Sequence, residues 1–171
     1  KQELYLAVAQ VRQGANLIEG TSRLEAEIEK HHPAEAEFYF ELAEAYRKSG
    51  NAEKAIDMFE QALRRNPNFR PAIHELGATL ARSGRLPQAK ETLLKALAAT
   101  PEDASVLNDL GLVYVGLGQP REAAEVLQKA SRIDTDYPDT YNNLGGALAR
   151  LGDQAGAEAA YRTAIKVQPD F

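Results

Sequence analysis

Cysteine is absent from all 171 residues. Its absence removes disulfide frameworks, thiolate zinc sites and thiol nucleophiles together, and it leaves the redox compartment open. Long apolar runs are missing too: no stretch approaches the roughly 20 residues of a bilayer-spanning helix, and Lys1 to Gln10 lack the apolar run of a secretory signal. Nor is there a basic excess, since 20 Lys and Arg stand against 25 Asp and Glu for a formal net charge of -5. A general nucleic-acid binder needs a basic face to displace counterions from phosphates, so nucleic acid is excluded as a general partner and basic or neutral partners are expected. With 44% hydrophobic and 26% charged residues, the composition is that of a soluble folded protein, neither disordered nor membrane-embedded. A cytoplasmic setting is the default expectation, with the periplasm left open.

What the chain does contain is a period of 34 residues, sustained without insertion over four copies at 36–69, 70–103, 104–137 and 138–171. The seventh place of each copy reads Leu42, Leu76, Leu110 and Leu144. The eighth is always small, Ala43, Gly77, Gly111 and Gly145, so two helices can approach closely there. Gly50, Gly84, Gly118 and Gly152 hold the fifteenth place, where a first helix needs a left-handed residue to stop. Asn51 and Asp153 are expected to cap the second helix, and Pro87 and Pro120 suit its first turn, where a missing N–H costs nothing. The second helix carries Ala55, Ala89, Ala123 and Ala157, then a large residue four places on (Phe59, Leu93, Leu127, Tyr161), then Ala62, Ala96, Ala130 and Ala164. Spacings of three and four mark one buried stripe. Pro67, Pro101 and Pro169 end three copies; the third has Thr135, with Pro138 expected to set the next helix start.

These residues resemble the tetratricopeptide repeat family. Its pattern also wants large residues at the fourth place, here Tyr39, Ile73, Leu107 and Tyr141, and at the eleventh, here Tyr46, Leu80, Tyr114 and Leu148. The resemblance implies an all-α fold, a right-handed α-solenoid of antiparallel helical hairpins, taken as a single domain over 1–171. Residues 1–35 read as a degenerate capping hairpin in which Tyr5, Val8 and Ala9 occupy the packing places, Gly14 breaks the segment and Pro33 ends it. Leu17, Leu24 and Ile28 supply the stripe of its second helix, with Thr21 and Glu25 where Ala and a large apolar residue belong. Because the chain begins at Lys1 and no further helix follows the fourth copy, two accounts are expected: a fragment of a longer protein, or a Tyr161 and Ile165 face covered by a second copy.

Places two, five, nine and twelve of each first helix, edged by six and thirteen, share a face left free of packing. In the family this stripe lines a concave groove for extended peptides. The candidate groove residues are Phe40, Glu41, Glu44, His74, Glu75, Asn108, Asp109, Leu112, Asn142 and Asn143. Co-chaperone members clamp a terminal carboxylate here with Lys, Asn and Arg, but Phe40, Glu44, Glu75, Ser105 and Asp109 hold the matching places, so that mode is not expected. The runs Leu107 to Gly111 and Tyr141 to Gly146 instead resemble the asparagine ladder beside the catalytic domain of O-linked sugar transferases, whose amides offer donor and acceptor to a peptide backbone. Glu41, Glu75 and Asp109 interrupt that ladder, so the groove is expected to be acidic, with simple solvation of a helix face as the alternative for these acids. Phe40 is read as a peptide anchor or as a contact to the N-terminal hairpin.

Catalytic and metal patterns fail in turn. His74-Glu75 opens like a metalloprotease helix, but Ala78 stands where the second ligand belongs. His31 and His32 are adjacent and read as a frayed helix end before Pro33. Asp134, Asp136 and Asp139 lack the turn glycine and closing acid of a calcium loop, and Asp136 is expected to cap a helix. Gly116 and Gly118 start a dinucleotide-like pattern that Arg121 breaks. No base is paired with a nucleophile. The expectation is a non-enzymatic scaffold without cofactors that binds a protein or peptide. Two alternatives stand beside it: a recruiting arm of a larger enzyme or of a secretion or assembly machine, and self-association through the last hairpin.

Overall fold

A computed structural model describes residues 2–13 and 16–168; Gly14, Pro169 and Phe171 lie outside them. The described residues form ten helices and no strand: α1 (Gln2–Gln13), α2 (Leu17–His31), α3 (Ala36–Lys48), α4 (Ala52–Arg65), α5 (Arg70–Arg82), α6 (Leu86–Ala99), α7 (Ala104–Gly116), α8 (Pro120–Ile133), α9 (Pro138–Arg150) and α10 (Gln154–Val167). They fall into two compact units, residues 1–83 and 84–171, with the boundary in the turn of the second copy.

In the first unit α1 packs on α2 and α3 on α4, while α3 also meets both helices of the N-terminal hairpin and α5 covers α4. In the second, α7 packs on α8 and α9 on α10, α6 lies against α7, and α8 and α9 join the two hairpins. The turns follow directly from the glycines. Gly50, Gly118 and Gly152 take φ of 80°, 71° and 83°. This places the next residue's N–H back on the helix end: Asn51 N donates to Tyr46 O at 2.9 Å, Gln119 N to Tyr114 O at 2.9 Å and Asp153 N to Leu148 O at 3.1 Å. Orphan carbonyls are thereby satisfied and the chain reverses in three residues. Asn51 then caps α4 through Lys54 N at 3.2 Å, and Asp153 caps α10 through Gly156 N at 2.9 Å.

The predicted stripe is the core. Leu42, Leu76, Leu110 and Leu144 are buried, as are Ala55, Ala89, Ala123 and Ala157, with Phe59, Leu93 and Leu127 fully enclosed. Each enclosed large side chain contributes about 1.5–3 kcal/mol relative to exposure. The small eighth place is a steric requirement: a Cβ on Gly111 would stand 2.5 Å from Leu127 Cγ, and one on Gly145 2.7 Å from Tyr161 Cε1.

Three local expectations are corrected. In α1 the buried residues are Leu4, Ala7 and Val11, whereas Val8 is half-buried, Ala9 is exposed and Tyr5 is 59% exposed. In the next helix Asn16 caps α2 one residue earlier than the 34-residue period would place it, with its Oδ1 accepting from Glu19 N. Asp136 caps nothing; α9 starts at Pro138 without a side-chain cap, and Asp136 N instead donates to Asp134 Oδ1 at 3.0 Å, closing a local Asx turn. Tyr161, at the place held by Phe59 and Leu127, is 37% exposed.

Candidate peptide-binding face

The free stripe is built twice, once in each unit. In the first unit α3 carries Phe40, Glu41 and Glu44, and α5 carries His74 and Glu75, all half-buried. Phe40 turns into its own hairpin, its ring 5.7 Å from that of Phe59 and 5.3 Å from that of Phe69. The aromatic contact to the N-terminal hairpin comes from Phe38 instead, edge-on to Tyr5 at 5.3 Å.

The acids of this face have basic partners. Arg47, one turn beyond Glu44 on α3, grips it through Nε and Nη2, both at 2.7 Å, and its Nε lies 3.5 Å from Glu75 on α5. Glu41 is bound by Arg12 of α1. Both guanidiniums hold their protons above the ordinary value, Arg47 through its hydrogen bond to Glu44 and Arg12 through its bond to Glu41. Glu41, Glu44 and Glu75 are thus each within reach of a guanidinium, and Glu37, one turn before Glu41, is exposed. Arg12 and Arg47 were not among the sequence candidates. Arg47 carried a signal, standing at the twelfth place three residues after Glu44. The Arg12–Glu41 pair spans two hairpins and has no local signature.

In the second unit the couples are amides. Asn108 on α7 is only 5% exposed, and its Oδ1 accepts from Asn143 Nδ2 on α9 at 3.0 Å and from Thr140 Oγ1 at 3.4 Å. A buried amide oxygen needs such donors, so Asn108 joins α7 to α9 and is not displayed. Asn142 is exposed, Asn143 and Asp109 are half-buried, and Leu112 stands 46% exposed one turn after Asn108. Tyr137 lies at the start of α9, where burial together with Asp139, Asp109 and Asp134 raises its pKa.

The two histidines at the end of α2 also have structural roles: His31 Nε2 lies 3.2 Å from Glu27, and His32 is a left-handed C-cap whose N–H donates to Ile28 O at 2.8 Å. Among the described residues no group of His, Asp and Glu converges as a metal site, and no helix is long and apolar enough to cross a membrane.

Tetratricopeptide repeat family models match residues 23–76, 46–110 and 108–170. The chain belongs to the tetratricopeptide repeat family. Its fold class is all-α, that of the family's solenoids, and solved structures agree. MamA from Desulfovibrio magneticus RS-1 is 22% identical and superposes with a TM-score of 0.90, over 99% of this chain and 97% of that one. YrrB, a TPR protein with an unusual peptide-binding site, is 21% identical with a TM-score of 0.80 over 95% and 84% of the two chains. Pseudomonas aeruginosa PilF gives 21% and 0.80, over 97% of this chain and 75% of PilF. No relative is found among curated protein sequences.

Proposed function

We propose that the chain is a non-catalytic scaffold that holds an extended or helical segment of another protein against its first-helix faces. Tetratricopeptide repeats build protein–protein interaction scaffolds, and such scaffolds are typically without catalytic activity. The observation that carries the finer reading is the set of polar couples between neighbouring first helices: Arg12–Glu41 and Arg47–Glu75 in the first unit, Asn143–Asn108 in the second. Each holds a rotamer-rich side chain in place before a ligand arrives, which lowers the ordering cost of binding. The carboxylates Glu37, Glu41 and Glu44 along α3 favour a basic or neutral segment.

The test is capture of the partner from lysate with the wild-type chain, followed by the same capture with Leu112→Lys combined with Asn142→Ala. Loss of the partner is expected, with Lys95→Ala, on an exposed part of α6, as the silent control. Undiminished capture by the double variant overturns the reading. Glu41→Lys with Glu75→Lys is expected to weaken a basic ligand and flatten its salt dependence.

A second reading, self-association, is favoured by one observation: Tyr161 and Ile165 are 37% and 54% exposed on α10, beside a surface depression lined also by Ala149, Ala157 and Arg162. Light scattering checks it, since a monomeric mass at every concentration eliminates this second reading.

A further inference from the structure

We propose that the cleft between α1 and α3 receives the cationic side chain of a lysine or arginine carried by the bound segment, which makes the N-terminal hairpin a wall of the binding face as well as a cap. The inference deepens the scaffold reading and rests on it. The cleft has a volume of about 420 Å³, within the roughly 300–1,000 Å³ of ligand pockets. Tyr5, Val8 and Arg12 of α1 form one side; Glu37, Phe38 and Glu41 of α3, with Glu35 just before them, form the other.

Two independent features select the occupant. The first is the Tyr5 ring. At the same place in three other copies Tyr39, Ile73 and Leu107 are buried, but in α1 Leu4 is buried and Tyr5 stands exposed at the cleft. Phe38, itself buried, backs the ring edge-on, so Tyr5 is a supported aromatic surface of the kind on which a lysine or arginine stem and its charge dock. The second is charge. The exposed carboxylate of Glu37 borders the cleft, beside Glu41, to which Arg12 is bound. A carboxylate or phosphate entering there meets like charge, an apolar side chain desolvates Glu37 without return, and a cation meets both opposite charge and the ring.

The experiment selects binders to the whole chain from a random linear peptide library. The peptides recovered are then measured against the wild type, Tyr5→Ser, Glu37→Gln, Glu37→Lys and Leu112→Lys, each checked by circular dichroism to be folded. Recovered peptides are expected to share one Lys or Arg position. Replacing that residue by norleucine or citrulline, or making Tyr5→Ser or Glu37→Gln, is expected to weaken binding roughly tenfold, the scale of one partly desolvated cation–π or charge contact. Glu37→Lys is expected to weaken it further. Peptides that bind Tyr5→Ser and Glu37→Lys as tightly as wild type but lose affinity to Leu112→Lys overturn this proposal and leave the scaffold reading standing. Recovery of no binder, or only of binders indifferent to every variant, overturns both.

Discussion

The two units display the same free places with different chemistry. On α3 and α5 the couples are ionic, Arg47 with Glu44 and Glu75, and Arg12 reaches Glu41 from α1. On α7 and α9 they are amides and a hydroxyl, Asn108 with Asn143 and Thr140, and the exposed side chain between them is Leu112. Beneath both faces lies the same core grammar of leucine, a small residue and alanine. The scaffold and the stripe are therefore separable: the repeat fixes where side chains emerge, and the residues at places five, six, nine and twelve decide whether a ligand meets salt-sensitive charge or a salt-insensitive amide and apolar surface.

The sharpest way to break that comparison is to remove the shared core from one side only. Phe59→Ala is expected to cost about 3–5 kcal/mol, since Phe59 is fully enclosed. Hydrogen exchange is expected to show the loss concentrated in residues 2–83, because repeat arrays communicate mainly through neighbours. Equal loss of protection throughout would refute the separability.

Next in size is Asn108→Ala, expected to destabilise by about 1–3 kcal/mol, because Asn143 and Thr140 lose a common acceptor. Denaturant titration at low and high salt checks it, and the cost is expected to be the same in both. Arg47→Ala, its ionic counterpart, is expected to cost only about 0–1 kcal/mol and to lose even that at high salt. Its larger consequence is tighter binding of basic ligands, since Glu44 and Glu75 lose their counter-charge. Were the Arg47 effect insensitive to salt and the Asn108 effect sensitive, the contrast between the faces would be reversed.

The smallest effect concerns Tyr137. Its pKa is raised in the folded chain by burial and by Asp139, Asp109 and Asp134, so folding favours the protonated phenol. That contribution is present below the ordinary tyrosine value of 10.0 and is lost as pH rises through the folded value. Tyr137→Phe is expected to flatten the alkaline limb of stability and to leave neutral pH unchanged, as thermal melts across that range would show.

Much of the fold was legible because turn and packing positions have single physical solutions. A glycine with positive φ, a proline in the first turn and a small residue opposite Leu127 each read unambiguously, and four copies in phase multiply that information. The exposure of Tyr5 was illegible because its place carries the packing residue of the other copies, and only the packing of α1 on α2 and α3 turns Leu4 in and leaves Tyr5 out. Of the candidate face, the set of places was readable but the state of its residues was not. Asn108 and Asn143 lie a full copy apart, as do Arg12 and Glu41 within a few residues, and only packing brings such partners together. Phe40 shows the same limit: its place on the helix marks it as free, yet Phe69, after the end of α4, takes up its ring.

The four turn glycines provide a gauge of a different kind. At Gly50, Gly84, Gly118 and Gly152 φ lies between 71° and 83°, and an added Cβ at each meets nothing within 4 Å. Alanine there introduces no collision, only the left-handed penalty of about 1–2 kcal/mol, which is the same intrinsic perturbation at every site. Four equal weights can thus be hung at regular intervals along one chain. Any inequality among the measured responses then reports how cooperatively the chain shares strain along its length, with local sterics already cancelled.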